Sequence, residues 1–198
     1  MKNLKLWITI GVIALIALFS YNSVTNSYNS MVDFREKVDK SWSDVLGDYQ
    51  RRMDLIPNLV STVKGYADFE QKTLVDVIQA RANATAVNLK VDKMDATTMQ
   101  KVEETQGALS SSLSRLLVTI EKYPDLKANQ QFQNLQVALE GTENRISNAR
   151  RKYNDATQIY NVYIKSFPKN IYANMFGFEQ KPYFEAAAGA EKAPEVKF

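Results

Sequence analysis

FQNLQVALEGTENRISNARRKYNDATQIYNVYIKSF, residues 132–167, is the stretch whose reading decides the fold. Within it Phe132, Leu135, Leu139, Thr142, Ile146, Ala149, Tyr153, Ala156, Tyr160, Tyr163 and Phe167 recur at alternating spacings of three and four. That is the period of a single stripe along an α-helix, sustained for about five heptads. A stripe with this repeat calls for a second helix beside it, nearly parallel in axis and wound left-handed. Pro168 ends the run, because proline has no backbone N–H to continue the helix. The helix is about 55 Å long at 1.5 Å per residue, so its partner must be long as well.

One other segment is long enough. From Val24 to Lys64 the residues Tyr28, Met31, Val38, Trp42, Val45, Tyr49, Ile56, Leu59 and Val63 keep the same seam, with Arg35 and Arg52 as polar interruptions. Pro57 lies inside this pattern, where a proline costs about 3 kcal/mol. A kink or restart is therefore expected there, with Asp54 three residues earlier supplying a cap. Gly65 is the natural stop. A second helix is expected after Asp68 and Gln71, which have capping-box spacing. Its inner face would be Leu74, Val77, Ile78 and Ala82, and it fades near Lys90. A third begins at Asp95 with Thr97 and Thr98. It carries Met99, Val102, Leu109, Leu113, Leu116, Leu117 and Ile120 and stops before Pro124. Short loops make neighbours antiparallel. The expected class is all-α: an N-terminal transmembrane helix, then an up-down-up-down antiparallel four-helix bundle with long first and fourth helices.

The N-terminus gives the localisation. Lys2 and Lys5 precede an apolar run from Leu6 to Phe19, and no charge follows until Asp33. Residues 6–24 span about 28 Å as a helix, close to a hydrocarbon core of about 30 Å. The lysines on one flank place residues 1–5 in the cytoplasm and the bulk across the inner membrane, as a single-pass protein. A cleaved signal peptide is the competing reading, but Leu18-Phe19-Ser20 is a poor cleavage site. The rest divides into a helical body, 25–185, and a tail, 186–198, expected to be disordered because Ala, Gly, Glu and Lys dominate it.

Composition removes whole chemistries. The 198 residues contain no Cys and no His, so there is no thiol nucleophile, imidazole base, disulfide or Cys/His zinc site. The net charge is +3 without a basic block, which argues against nucleic acid as a partner. Carboxylate metal sites and Ser/Lys dyads survive only formally, and no cofactor is called for. Glu103 and Glu104 are adjacent on a helix and diverge. Ser110, Ser111 and Ser112 have no base nearby in sequence.

Several blocks together resemble the LemA family. They are Trp42-Ser43-Asp44-Val45, Gln50 to Val60, Thr62 to Ala67, Ala80-Arg81-Ala82, and the closing Phe176-Gly177-Phe178-Glu179-Gln180-Lys181-Pro182-Tyr183-Phe184-Glu185-Ala186. The resemblance implies a bacterial helical bundle on a membrane anchor and brings no catalytic residues. Phe69 stands where many members have a histidine.

Ten residues are candidates for interaction. Asp54 is either a functional acid or the cap described above. Arg51 and Arg52 either grip a phosphate or lipid head group, or pair with carboxylates on neighbouring helices. Tyr153, Tyr160 and Tyr163 form either a core or a surface for self-association. Phe176, Phe178, Tyr183 and Phe184 lie in a stretch, 171–184, with no helical period. They dock on the uncovered end of the long helix pair, in the same or an adjacent chain, or enter the membrane interface, with docking favoured. The overall reading is a non-enzymatic, self-associating envelope scaffold that holds lipid and other envelope proteins. The alternative is a membrane-bound enzyme, such as a metal-dependent hydrolase, working through carboxylates.

Overall fold

The computed structural model of the chain describes residues 2–66, 70–87 and 95–185, with side chains from Trp7 onward. Among these there is no strand. Six helices follow one another: α1 (Lys2–Lys64), α2 (Gln71–Ala86), α3 (Ala96–Ile120), α4 (Pro124–Lys127), α5 (Gln130–Lys165) and α6 (Lys169–Phe176). The tail from 186, the proposed cap Asp68 and the end near Lys90 lie outside the described residues.

The chain forms two compact units, and α1 and α5 each contribute to both. The first unit holds residues 1–40 and 155–180. Its interior is Met31, Val38, Tyr160, Ile164, Ala173 and Phe178. The second holds residues 41–154 and 181–198. Its core draws Ile56, Leu59 and Val63 from α1, Leu74 and Val77 from α2, Leu109, Leu116 and Ile120 from α3, Leu126 from α4, and Phe132 and Leu139 from α5. Within the second unit Asp48 faces Arg145, Arg52 faces Glu143 and Tyr66 faces Asn129, so α1 and α5 run antiparallel. The start of α2 and the end of α3 line one shallow pocket, so these two helices are antiparallel as well.

Several local expectations are met and several are corrected. Asp95 caps α3 by accepting the Thr98 N–H at 2.7 Å. That bond holds its carboxyl below the usual 3.8. The favourable contribution is thus complete above the unfolded value and is lost as pH falls through the depressed one. The protection of the amides at residues 96–99, relative to their intrinsic exchange rate, is expected to fall in acid below pH about 3.8, and not in the Asp95→Asn protein, whose cap does not titrate. Equal acid sensitivity in both would remove the carboxylate from the account. At Pro57 the restart, one of the two outcomes expected there, is corrected, because α1 continues through it to Lys64. Asp54 is exposed and accepts the side chain of Gln50 at 2.7 Å, one turn earlier, so it caps nothing. The lost bond at Pro57 is offset by the buried Met53, Ile56, Leu59 and Val60 around it. In α2 the inner face is Thr73, Leu74, Val77, Ala80 and Ala84, while Ile78 and Ala82 face outward. The stretch after Pro168 is also corrected: it folds as α6. Gly177 ends it in the left-handed region at φ 73, and Phe178 N–H donates to Ala173 O at 2.9 Å.

Candidate functional site

Arg52 stands at a seam position of α1, three residues after Tyr49 and four before Ile56, so helical geometry sends a full charge inward. Its side chain is 2% exposed, and a charge buried to that degree needs partners. It has them within the second unit. Nη1 donates to Ser110 Oγ and to Glu143 Oε2, each at 2.7 Å. Nη2 donates to the backbone and side-chain oxygens of Gln106. The guanidinium also lies 5.4 Å from the Tyr49 ring centre. Its Nε is buried without an acceptor among the described residues. Glu143 is 56% exposed, so the ion pair is only half withdrawn from water. A cavity of about 600 Å³ opens beside it, bordered by Tyr49, Arg52, Glu103, Gln106, Ser110 and Glu143.

This arrangement suits structure better than chemistry. Burial pushes the Tyr49 phenol up to about 12, so it is not a base at neutral pH. The unfolded chain would ionise it near 10.0, so its contribution to stability is intact below pH 10.0 and is lost as pH rises toward 12. Titration followed by tyrosinate absorbance should show the Tyr49 phenol withheld until about pH 12 and released together with unfolding, apart from the Tyr160 phenol, which burial also raises. In Tyr49→Phe that late fraction should vanish. Its persistence would assign the withheld phenol elsewhere. Among the described residues no three carboxylates gather where they would hold a metal ion.

The second arrangement, also within the second unit, is a groove filled by the chain's own C-terminal segment. Tyr153 Oη donates to Pro182 O at 3.0 Å. The Asn154 amide pairs with both backbone groups of Phe184: Nδ2 donates to its carbonyl at 3.0 Å, and its N–H donates to Oδ1 at 2.9 Å. Glu103 Oε1 accepts the Glu185 N–H at 3.1 Å and the Arg150 guanidinium at 2.9 Å. Arg150 also donates to Glu185 O and lies 4.5 Å over the Phe184 ring. That ring packs 5.7 Å from Trp42 and 5.3 Å from Tyr153. The backbone groups used here belong to residues 182–185, which lie outside any helix and so need partners from elsewhere.

In the first unit Tyr160 Oη donates to Glu179 O at 2.8 Å. Tyr163 packs 4.9 Å from Phe34, and Lys169 lies over its ring at 4.1 Å. Tyr28 meets Phe176 at 5.1 Å and Phe178 at 5.6 Å, with Arg35 over the latter.

The candidates therefore separate. Tyr153 and Tyr160 are buried, and their hydroxyls donate to the backbone oxygens of Pro182 and Glu179. Phe178 and Phe184 are docked in the same chain. Phe176 and Tyr183 remain 42% exposed, Tyr163 is half-buried, and Arg51 and Asp54 are exposed. Arg52 pairs with a carboxylate, that of Glu143. Sequence reasoning missed Gln106, Glu143, Glu103, Asn154 and the inward role of Arg150. The one signal was Arg52 breaking an apolar seam, which requires buried acceptors without naming them.

The LemA family profile matches residues 41–198. Magnetosome protein MamQ of Magnetospirillum gryphiswaldense is 23% identical over 203 residues, covering 93% of this chain and 74% of that protein. Magnetosome protein MamQ 1 of Paramagnetospirillum magneticum is 23% identical, covering 89% and 70%. Protein LemA of Metamycoplasma hominis is 24% identical over 160 residues, covering 80% and 69%.

Proposed function

This chain belongs to the LemA family, and on that premise we propose that it is a membrane-anchored helical scaffold protein without a catalytic role. One observation carries the reading. The N-terminal part of α1 is strongly apolar over a stretch long enough to cross a membrane, and none of that stretch is buried. Trp7, Leu15, Leu18 and Phe19 are 60–78% exposed. A helix that displays such side chains on every face is unsuited to water and suited to lipid. Lys2 and Lys5 then set the N-terminus in the cytoplasm, in a single pass of the inner membrane, with the helical body beyond it as an up-down-up-down bundle. The relatives support a non-catalytic role, since none is named for a reaction.

Self-association in the membrane plane is the finer part of the proposal. Ile159 and Val162 support it: they lie three apart on α5, hence on one face, and are 55% and 57% exposed. Other envelope proteins are the expected further partners. The anchor and its direction are tested by fractionation and protease. The chain should stay with membranes through alkaline carbonate washing, and protease added to spheroplasts should remove the body. A carbonate-soluble chain, or a body cut only in inverted vesicles, would overturn this reading.

A further inference from the structure

We infer that the exposed apolar residues around α6 form an interfacial foot that rests in the headgroup layer of the bilayer. The inference rests on the anchor proposed above and adds a second, separate contact with lipid. All of its residues belong to the first unit. Phe167 is 81% exposed, Ile171 54%, Met175 63% and Phe176 42%. Ile171 and Met175 are one turn apart and share a face, while Ala173 on another face is buried. Four outward apolar side chains within ten residues are an unusual display for a segment surrounded only by water.

Their height above the membrane follows from α1. Residues 6–24 fill the hydrocarbon core if α1 spans it. Burial on α1 begins at Ser23, and Ser27 is already 8% exposed, so the folded body starts where the core ends. Tyr28 lies four residues past Val24, about 6 Å further along the axis. The headgroup layer is itself about 5–8 Å deep on each side. Phe176 packs 5.1 Å from Tyr28, which puts the end of α6 at headgroup depth. Lys165, the last residue of α5, is exposed and suited to an anionic head group, while Lys169 opens α6 over the Tyr163 ring. Lipid is thus the occupant that charge, depth and exposure all favour.

The absence of native cysteine makes the test clean. Full-length single variants Ile171→Cys, Met175→Cys, Leu15→Cys and Val75→Cys are labelled with an environment-sensitive fluorophore. They are then reconstituted in phosphatidylcholine–phosphatidylglycerol vesicles. Labels at 171 and 175 are expected to emit to the blue of the label at 75 and to be quenched by nitroxides placed shallow in the bilayer. The label at 15 should be quenched by deep nitroxides. If 15 is deep but 171 and 175 match 75 and are quenched by aqueous iodide, the foot is wrong and the anchor stands. Labels at 171 and 175 shielded from both lipid and water would mean a protein contact, which also overturns the foot. A water-exposed label at 15 sinks anchor and foot together.

Discussion

Replacing Phe184 with alanine is expected to destabilise the second unit by up to about 3–5 kcal/mol, the usual cost of emptying a buried aromatic site. Phe184 is 6% exposed and sits among Trp42, Tyr153 and Arg150. Its ring is the side-chain plug of a segment otherwise held through backbone groups by Tyr153, Asn154 and Glu103. Residues 181–185 lie outside any helix, so this segment can detach before the helices unfold. The free energy of docking therefore sets the ceiling on the loss. Tyr183→Ala, one residue away and 42% exposed, should cost less than about 1 kcal/mol. Denaturant unfolding of the full chain in detergent measures both. Deleting 181–198 should reproduce the Phe184→Ala loss. A deletion no less stable than the parent would show that the groove does not depend on its occupant.

Arg52→Ala is expected to be comparably damaging, about 3–5 kcal/mol. It empties a buried site and leaves the Gln106 side chain, 4% exposed, without its donor. An unsatisfied buried amide alone costs about 1–3 kcal/mol. Glu143 should suffer little, because it is 56% exposed and can rehydrate. The decisive comparison is the double variant Arg52→Met with Gln106→Leu. It removes both members of the buried polar pair and keeps their volume, so most of the lost stability should return. If Arg52→Ala costs under about 1 kcal/mol, water from the adjacent cavity already solvates the cluster and the arginine is not a structural tie.

The long helices were legible because the period of three and four is a property of the chain alone. α5 begins and ends within two residues of its stripe, and thirteen of the named α1 and α3 seam residues are buried to 2% or less: Met31, Val38, Trp42, Val45, Tyr49, Ile56, Leu59, Val63, Met99, Val102, Leu109, Leu116 and Ile120. What could not be read depends on what the helices meet. Pro57 reads as a break because its local cost is known, while the surrounding packing that offsets it is tertiary. Ile78 and Ala82 fit a helical period yet face outward, since a short helix has too few turns to fix its own rotation. α6 was missed because eight residues with only Ala173 buried carry no visible stripe. The tail groove was half legible. Aromatic density said the segment docks, but Asn154 and Glu103 act on backbone groups and leave no mark in side-chain patterning.

The central claim is a membrane-held chain that assembles with copies of itself, and mass in a native bilayer tests it most directly. Full-length protein extracted from membranes into lipid discs without detergent should appear as a defined multiple of the 22.5 kDa chain. A single 22.5 kDa chain per disc, unchanged across protein concentration, would contradict the claim.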